Sequence, residues 1–277
     1  MNLKLNDQIW TIFVLFKKEF FSHLKSVRMI ILMVIFSLLV LLTVYGTFML
    51  MGMSEAFVPP DVSEIMIEQG PIFILSSIVG MIFFIGPITA LALSFDTIVR
   101  EKIENSLHLL LCRPISRRSI AIGKFLGILG ALALPIIVVN SIAIGVIIFL
   151  SDKGISFTQI GGFLLFTLIF LAIYSAIGQL ISSSVKTTTT SLLLGIVIWI
   201  FLPVIVSILS VFLSDFSGHI ELLNPSAPYN VCVGHALGTL TNEASLSIPL
   251  WGYYLSFILW LFIPLIISIE IFNRKED

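Results

Sequence analysis

Charge is scarce in this sequence. Lys, Arg, Asp and Glu together make up 11% of its 277 residues, less than half of the roughly 25% usual in a soluble domain. With 58% of residues hydrophobic, there is too little polar surface to wrap a water-soluble body of this length, so lipid is the solvent for most of the chain. Cysteine is rarer still, with only Cys112 and Cys232. The topology derived below puts them on opposite sides of a membrane, which excludes a disulfide between them. No H-E-x-x-H, no G-x-S-x-G and no G-x-x-x-x-G-K-[ST] occurs, so the sequence carries no signature of a zinc protease, a serine hydrolase or a phosphate loop. Gly123-Lys124 is followed by Phe125 and lacks the preceding glycine loop. The net charge of −1 makes nucleic acid an unexpected partner.

What is abundant is long apolar sequence. Six runs, at about 29–50, 72–95, 125–150, 157–182, 191–213 and 249–269, are each long enough to cross a ~30 Å hydrocarbon core at ~1.5 Å per residue. Threading them alternately with the N-terminus inside collects fourteen of the fifteen Lys and Arg residues on one side and leaves only Lys153 on the other. This is the positive-inside asymmetry, and it predicts a multi-pass protein of the cell membrane with both termini cytoplasmic. Outer segments hold Glu55, Asp61, Glu64, Glu68, Asp215, Glu221 and Glu243. The first 28 residues lack the short apolar core and small-residue cleavage site of a signal peptide. The fold expected is an all-α membrane protein, one transmembrane domain over 1–277.

None of the six runs has an Asp, Glu, Lys, Arg or His at its hydrophobic centre; Asp96 and Glu270 sit at inner ends. A charge at mid-depth costs at least ~2.5–3.5 kcal/mol and is kept where protons or ions are relayed, so a proton- or sodium-coupled carrier is disfavoured. No internal repeat is visible, which also counts against the inverted-repeat carriers. Packing marks are present: Gly123, Gly127 and Ala131 form a small-xxx-small ridge at the start of the third run, and Ser175 and Gly178 thin the fourth. Pro87, Pro135, Pro203 and Pro264 predict kinks in four spans.

Ahead of the first span, residues 5–27 read as an amphipathic helix at the inner interface. Ile9, Ile12, Phe13, Phe16, Phe20 and Leu24 recur at helical spacing, and Lys17, Lys18 and Glu19 interrupt any apolar run. Residues 214–248 form an extracytoplasmic segment with Pro225 and Pro228, expected to fold into one or two short helices against the outer interface.

The longest inner loop, 96–124, reads DTIVREKIENSLHLLLCRPISRRSIAIGK. Ile98, Val99, Ile103, Leu107, Leu110 and Leu111 make a helical apolar stripe, with Arg100, Glu101, Lys102 and Glu104 around it. Pro114 breaks the helix, and Arg117, Arg118 and Lys124 anchor the next span. A short charged helix strung between two long spans is a mechanical coupling element, because a push on it tilts both.

In Glu101, Leu107, Leu109 to Leu111, Pro114-Ile115-Ser116-Arg117 and Gly123-Lys124 the chain resembles the type-2 exporter permeases of the ABC transporters. Where that family favours Gly-Thr, this chain has Asn105-Ser106, and Asn tolerates the left-handed backbone of a turn. Leu222-Leu223-Asn224-Pro225 before the last span is a second point of similarity, and the layout agrees over the whole length. Within the family the chain looks most like the permease of nitrous-oxide reductase maturation. The resemblance implies an ATP-driven exporter whose ATPase is a separate subunit, so that ATP and Mg belong to the partner and this chain carries no cofactor. It implies a second permease copy or close homologue, and a docking surface made of Arg100, Glu101, Lys102, Glu104, Leu107, Arg113 and Arg117. A membrane scaffold that recruits a cytoplasmic protein through the same loop without transport is the alternative.

Two weaker constellations remain open. Met49, Met51 and Met53 could supply thioethers to Cu(I) or be ordinary apolar filling. Cys232 and His235 have C-x-x-H spacing suited to a soft or borderline metal, but the sequence names no third and fourth ligand.

Overall fold

The computed structural model describes residues 5–52, 60–103, 116–151, 154–213, 216–240 and 246–274; side chains of 5–8, 60–69 and 274 are excluded. Among these residues the chain is helical, with no strand. Helix α1 spans Leu5–Leu24, α2 Val27–Gly52, α3 Pro60–Ser94 and α4 the five residues Val99–Ile103. Then come α5 (Arg117–Leu150), α6 (Phe157–Ser184), α7 (Thr188–Phe212), α8 (Ser217–Glu221), α9 (Ser226–Leu237) and α10 (Leu250–Arg274). Six of these segments are long and apolar enough to cross a membrane.

Local chemistry sets the helix ends. Ser116 caps α5 by accepting from the Ser119 amide, and Thr187 does the same for α7 through Thr190. Ser156 and Gln159 form a reciprocal capping box on α6. Gly70, at φ 25° and ψ −96°, separates a first segment of α3 from the long one that begins beside Pro71. Only a residue without a Cβ adopts that backbone at little cost. Pro87, Pro135, Pro203 and Pro264 all lie inside long helices.

Helix α6 is the centre of the bundle, packed by α3, α5, α7, α9 and α10. Its most apolar stretch is 56% buried, against 11% for α7 and 22% for α2. Along α7, Leu193, Val197, Phe201, Val204 and Ile208 are exposed. Apolar surface on this scale must be covered by hydrocarbon or by another chain. Between α3 and α6 the approach is close: a Cβ on Gly178 would stand 2.9 Å from that of Ser94, with the Ser94 hydroxyl closer still.

In the segment before the last span, α9 is packed lengthwise on α6. Helix α9 runs antiparallel to α6, inside the protein. Its last turn accepts a hydrogen bond from Gln159 Nε2 to the Leu237 carbonyl at 2.9 Å, and its first residue, Ser226, meets the Tyr174 hydroxyl at 2.9 Å. Fifteen residues of α6 separate those two contacts, about 22 Å along the helix. Tyr229 is fully buried between them, stacked on Phe170 at 4.1 Å and 11°. Such a stack contributes ~0.5–1.5 kcal/mol beyond the area it buries.

Candidate functional site

The chemistry of this chain is concentrated where α3 ends. After Ser94 the chain turns through Phe95–Ile98 and winds α4 as a single short turn of helix. A helix this short cannot hold itself together, and its neighbours hold it. The hydroxyl oxygen of Ser182, near the end of α6, accepts from the amides of Ile98 (3.0 Å) and Val99 (3.1 Å), acting as a cap supplied from another helix. Ser191, in the first turn of α7, donates to the Phe95 carbonyl at 2.6 Å. Lys102 Nζ donates to the Ser183 carbonyl at 2.7 Å. All three serines are buried.

On its other side α4 is tied to α5 and α1 by charge. Lys124, eight residues into α5's numbering from Arg117 and only 3% exposed, places its ammonium 2.7 Å from Glu101 and 3.2 Å from Glu19. The two carboxylates are 15% and 11% exposed. A buried ammonium is tolerable only with such partners, because its desolvation is otherwise uncompensated. Burial pushes the Glu19 carboxyl up, but Lys124, Lys18 and His23 together outweigh it and hold the group below its ordinary 4.5. His23, 3.9 Å from Glu19, is lowered below its ordinary 6.5, chiefly by burial and secondarily by Lys124 and Arg28, against the pull of Glu19 and Asp96. At the start of α2, Arg28 donates to Asp96 at 2.6 Å, with its guanidinium 5.5 Å from the centre of the Phe95 ring. These groups border a polar cleft of about 480 Å³.

The small-residue ridge of α5 is the seat of α1. A Cβ on Gly123 would stand 2.7 Å from that of Leu15, and one on Gly127 would stand 2.5 Å from that of Glu19. Gly130 faces Phe16 and Phe20 in the same way. Glycine here lets the two backbones approach closely enough for Glu19 to reach Lys124. Ala131, next on the ridge, is fully buried. The opposite side of α1 presents Trp10, Phe13 and Phe21, all exposed.

Of the residues singled out in the inner loop, Arg100 is exposed and Lys102 and Arg117 are half-buried. Glu101 points inward to Lys124 and not out from the loop. Glu104, Leu107 and Arg113 lie outside the described residues. Sequence reasoning missed Glu19, Lys124, Ser182, Ser191 and the Arg28–Asp96 pair as parts of one assembly. A signal was available: Lys124 stands in an otherwise apolar helix face, and Glu19 interrupts an amphipathic one, so each needs a partner.

At the outer end, Met49 is exposed, Met51 is half-buried against the core, and Met53 lies outside the described residues. Cys232 is buried among Ile248 and Tyr253, while the exposed His235 places Nδ1 2.9 Å from the Tyr254 hydroxyl. No group of three metal-ligating side chains occurs among the described residues.

Mechanically, the arrangement joins a loop to the spans. Helix α4 is joined to α6 through Ser182 and Lys102 and to α5 and α1 through Lys124, and the turn before it is joined to α7 through Ser191. The family model described as "ABC-2 family transporter protein" matches residues 13–276. The chain is also similar to the probable ABC transporter permease protein NosY of Stutzerimonas stutzeri, with 26% identity over 220 residues, 73% of this chain and 80% of that protein.

Proposed function

Since the chain belongs to the ABC-2 family of transporter proteins, we propose that it is the permease subunit of an ATP-driven exporter and that the α4 node couples it to a separate ATPase. The observation that carries this reading is the clasp itself: a five-residue helix at the inner end of the bundle, bonded to α6 and α5 and, through Lys124, joined to α1, with the turn that leads into it bonded to α7 at Phe95. An isolated loop would dissipate a push; a loop clasped to every neighbouring span transmits it. The lack of a phosphate loop in the sequence agrees with ATP and Mg residing on the partner.

In this reading Arg100, with Glu104, Leu107, Arg113 and Arg117, meets the ATPase, while Glu101 and Lys102 hold α4 to the bundle. The two least covered spans, α2 and α7, supply the faces against which a second permease copy packs, in a cell membrane with both termini cytoplasmic. Gentle purification of the tagged chain from its own cells, with mass spectrometry and an ATPase assay, tests the proposal. A stoichiometric nucleotide-binding partner that is lost on Arg100→Glu is the expected result. Recovery of the chain alone, or of a partner without ATP turnover, would overturn it and leave a recruiting scaffold.

A further inference from the structure

The cleft beside the node has more cations than carboxylates in its lining, Lys18, Arg28, Arg100 and Lys124 against Glu19, Asp96 and Glu101, and of these cations Arg100 and Lys124 also serve the coupling reading above. Its acids are consumed at the floor: Glu19 and Glu101 face Lys124, and Asp96 faces Arg28, with the three carboxylates 10–15% exposed. What reaches the mouth is cationic. Lys18 is 57% exposed, though 3.6 Å from Glu19, Arg28 is 52% exposed, and Arg100 is exposed. Ser22 adds a hydroxyl to the lining, while the Ser26 hydroxyl is spent on the His23 carbonyl and the Met29 amide; Val27 and Arg28 of the first turn of α2, an end that carries partial positive charge, line the cleft as well. The mouth is also bordered by hydrocarbon-seeking surface: Val27 lines the cleft and is 70% exposed, with Ile30 and Ile31 one turn further along α2 at 53% and 52%.

From this juxtaposition we infer that the cleft binds the phosphate-bearing headgroup of an anionic phospholipid of the inner leaflet, between Lys18, Arg28 and Arg100. Cations contributed by α1, α2 and α4 converge on one anion, a geometry in which charge-assisted hydrogen bonds are strong. The apolar border selects a tethered anion over a free one, since acyl chains lie along α2 while the headgroup enters. A bound headgroup bridges α1, α2 and α4, so the lipid becomes part of the clasp that holds the coupling helix.

The test uses the full chain in nanodiscs of phosphatidylcholine alone or mixed equally with phosphatidylglycerol, followed by native mass spectrometry of the released protein. Its readout is lipid retention, which does not depend on transport or on an ATPase. The wild type should retain one phosphatidylglycerol in preference to phosphatidylcholine. At about 1 kcal/mol per surface cation, Lys18→Gln combined with Arg100→Gln should weaken retention about thirty-fold, and Lys18→Gln alone about five-fold. Lys186→Gln, which removes an exposed lysine from another inner turn, should leave retention unchanged. Equal retention by the double variant overturns the inference, and so does equal loss with Lys186→Gln, which would mean diffuse surface charge. Displacement of the lipid by millimolar inorganic phosphate overturns it too, in favour of a site for soluble anions.

Discussion

Replacing Lys124 by Met removes the ammonium from the centre of the clasp while keeping its volume and its apolar stem. Glu19 and Glu101 then remain mostly buried without the charge that faces both of them at 3.2 and 2.7 Å. Removing one partner from a fully buried ion pair costs about 3–5 kcal/mol. Because these carboxylates keep 11% and 15% of their exposure, the lower end applies, about 3 kcal/mol. On the scaling of soluble domains approaching this size, that is a fall in Tm of about 6–12 °C. The pH dependence carries a sign. In the wild type the folded Glu19 titrates below 4.5, so its contribution is present above that pH and is lost as pH falls through the folded value. Without Lys124 the largest of the opposing charges is gone, and burial moves the folded value up from where it stands in the wild type. The ionised carboxyl then contributes less to the folded state at neutral pH than it does in the wild type. The stability gap between wild type and Lys124→Met should therefore narrow on acidification from pH 7. Thermal unfolding in mild detergent across that range measures both effects. The triple variant Lys124→Met, Glu19→Gln, Glu101→Gln should recover most of the loss, since neutral groups of similar shape replace the whole network. A Tm within a degree of the wild type at pH 7, with a gap independent of pH, would refute the reasoning.

The same assembly makes further demands. Gly127→Val drives a branched side chain into the Glu19 Cβ; an overpacking cost of about 1–3 kcal/mol should detach α1, read as faster proteolysis between α1 and α2. Ser182→Ala orphans the Ile98 and Val99 amides at a cost of about 1–2 kcal/mol, and basal ATPase activity of the purified complex should persist while its response to the permease falls. His23 sits below 6.5 in the folded chain, so the folded state loses stability as pH drops through 6.5; His23→Gln should flatten that dependence in the same unfolding assay. Tyr229→Ala should cost about 3–5 kcal/mol by emptying the stack on Phe170, whereas Tyr229→Phe, which keeps the stack and loses only the 3.3 Å contact to Thr167, should cost about 1 kcal/mol or less.

Six long apolar helices were legible in the sequence, because hydropathy is a sum over some twenty consecutive residues and a bilayer acts on that sum. The absence of mid-depth charge was legible for the same reason. The small-residue ridge on α5 could be read as a ridge, since i, i+4 spacing is local, but not as the seat of α1, since nothing in Gly123, Gly127 and Ala131 says which helix lies on them. Only the tertiary structure decided that Lys124 turns inward between Glu19 and Glu101, a pairing that spans 105 residues to Glu19. It also decided that Ser182 caps a helix 83 residues away, and that Ser226 of α9 meets Tyr174 of α6. These contacts are set by which helices become neighbours. That choice depends on the summed packing of all six spans, and no single window of sequence contains it.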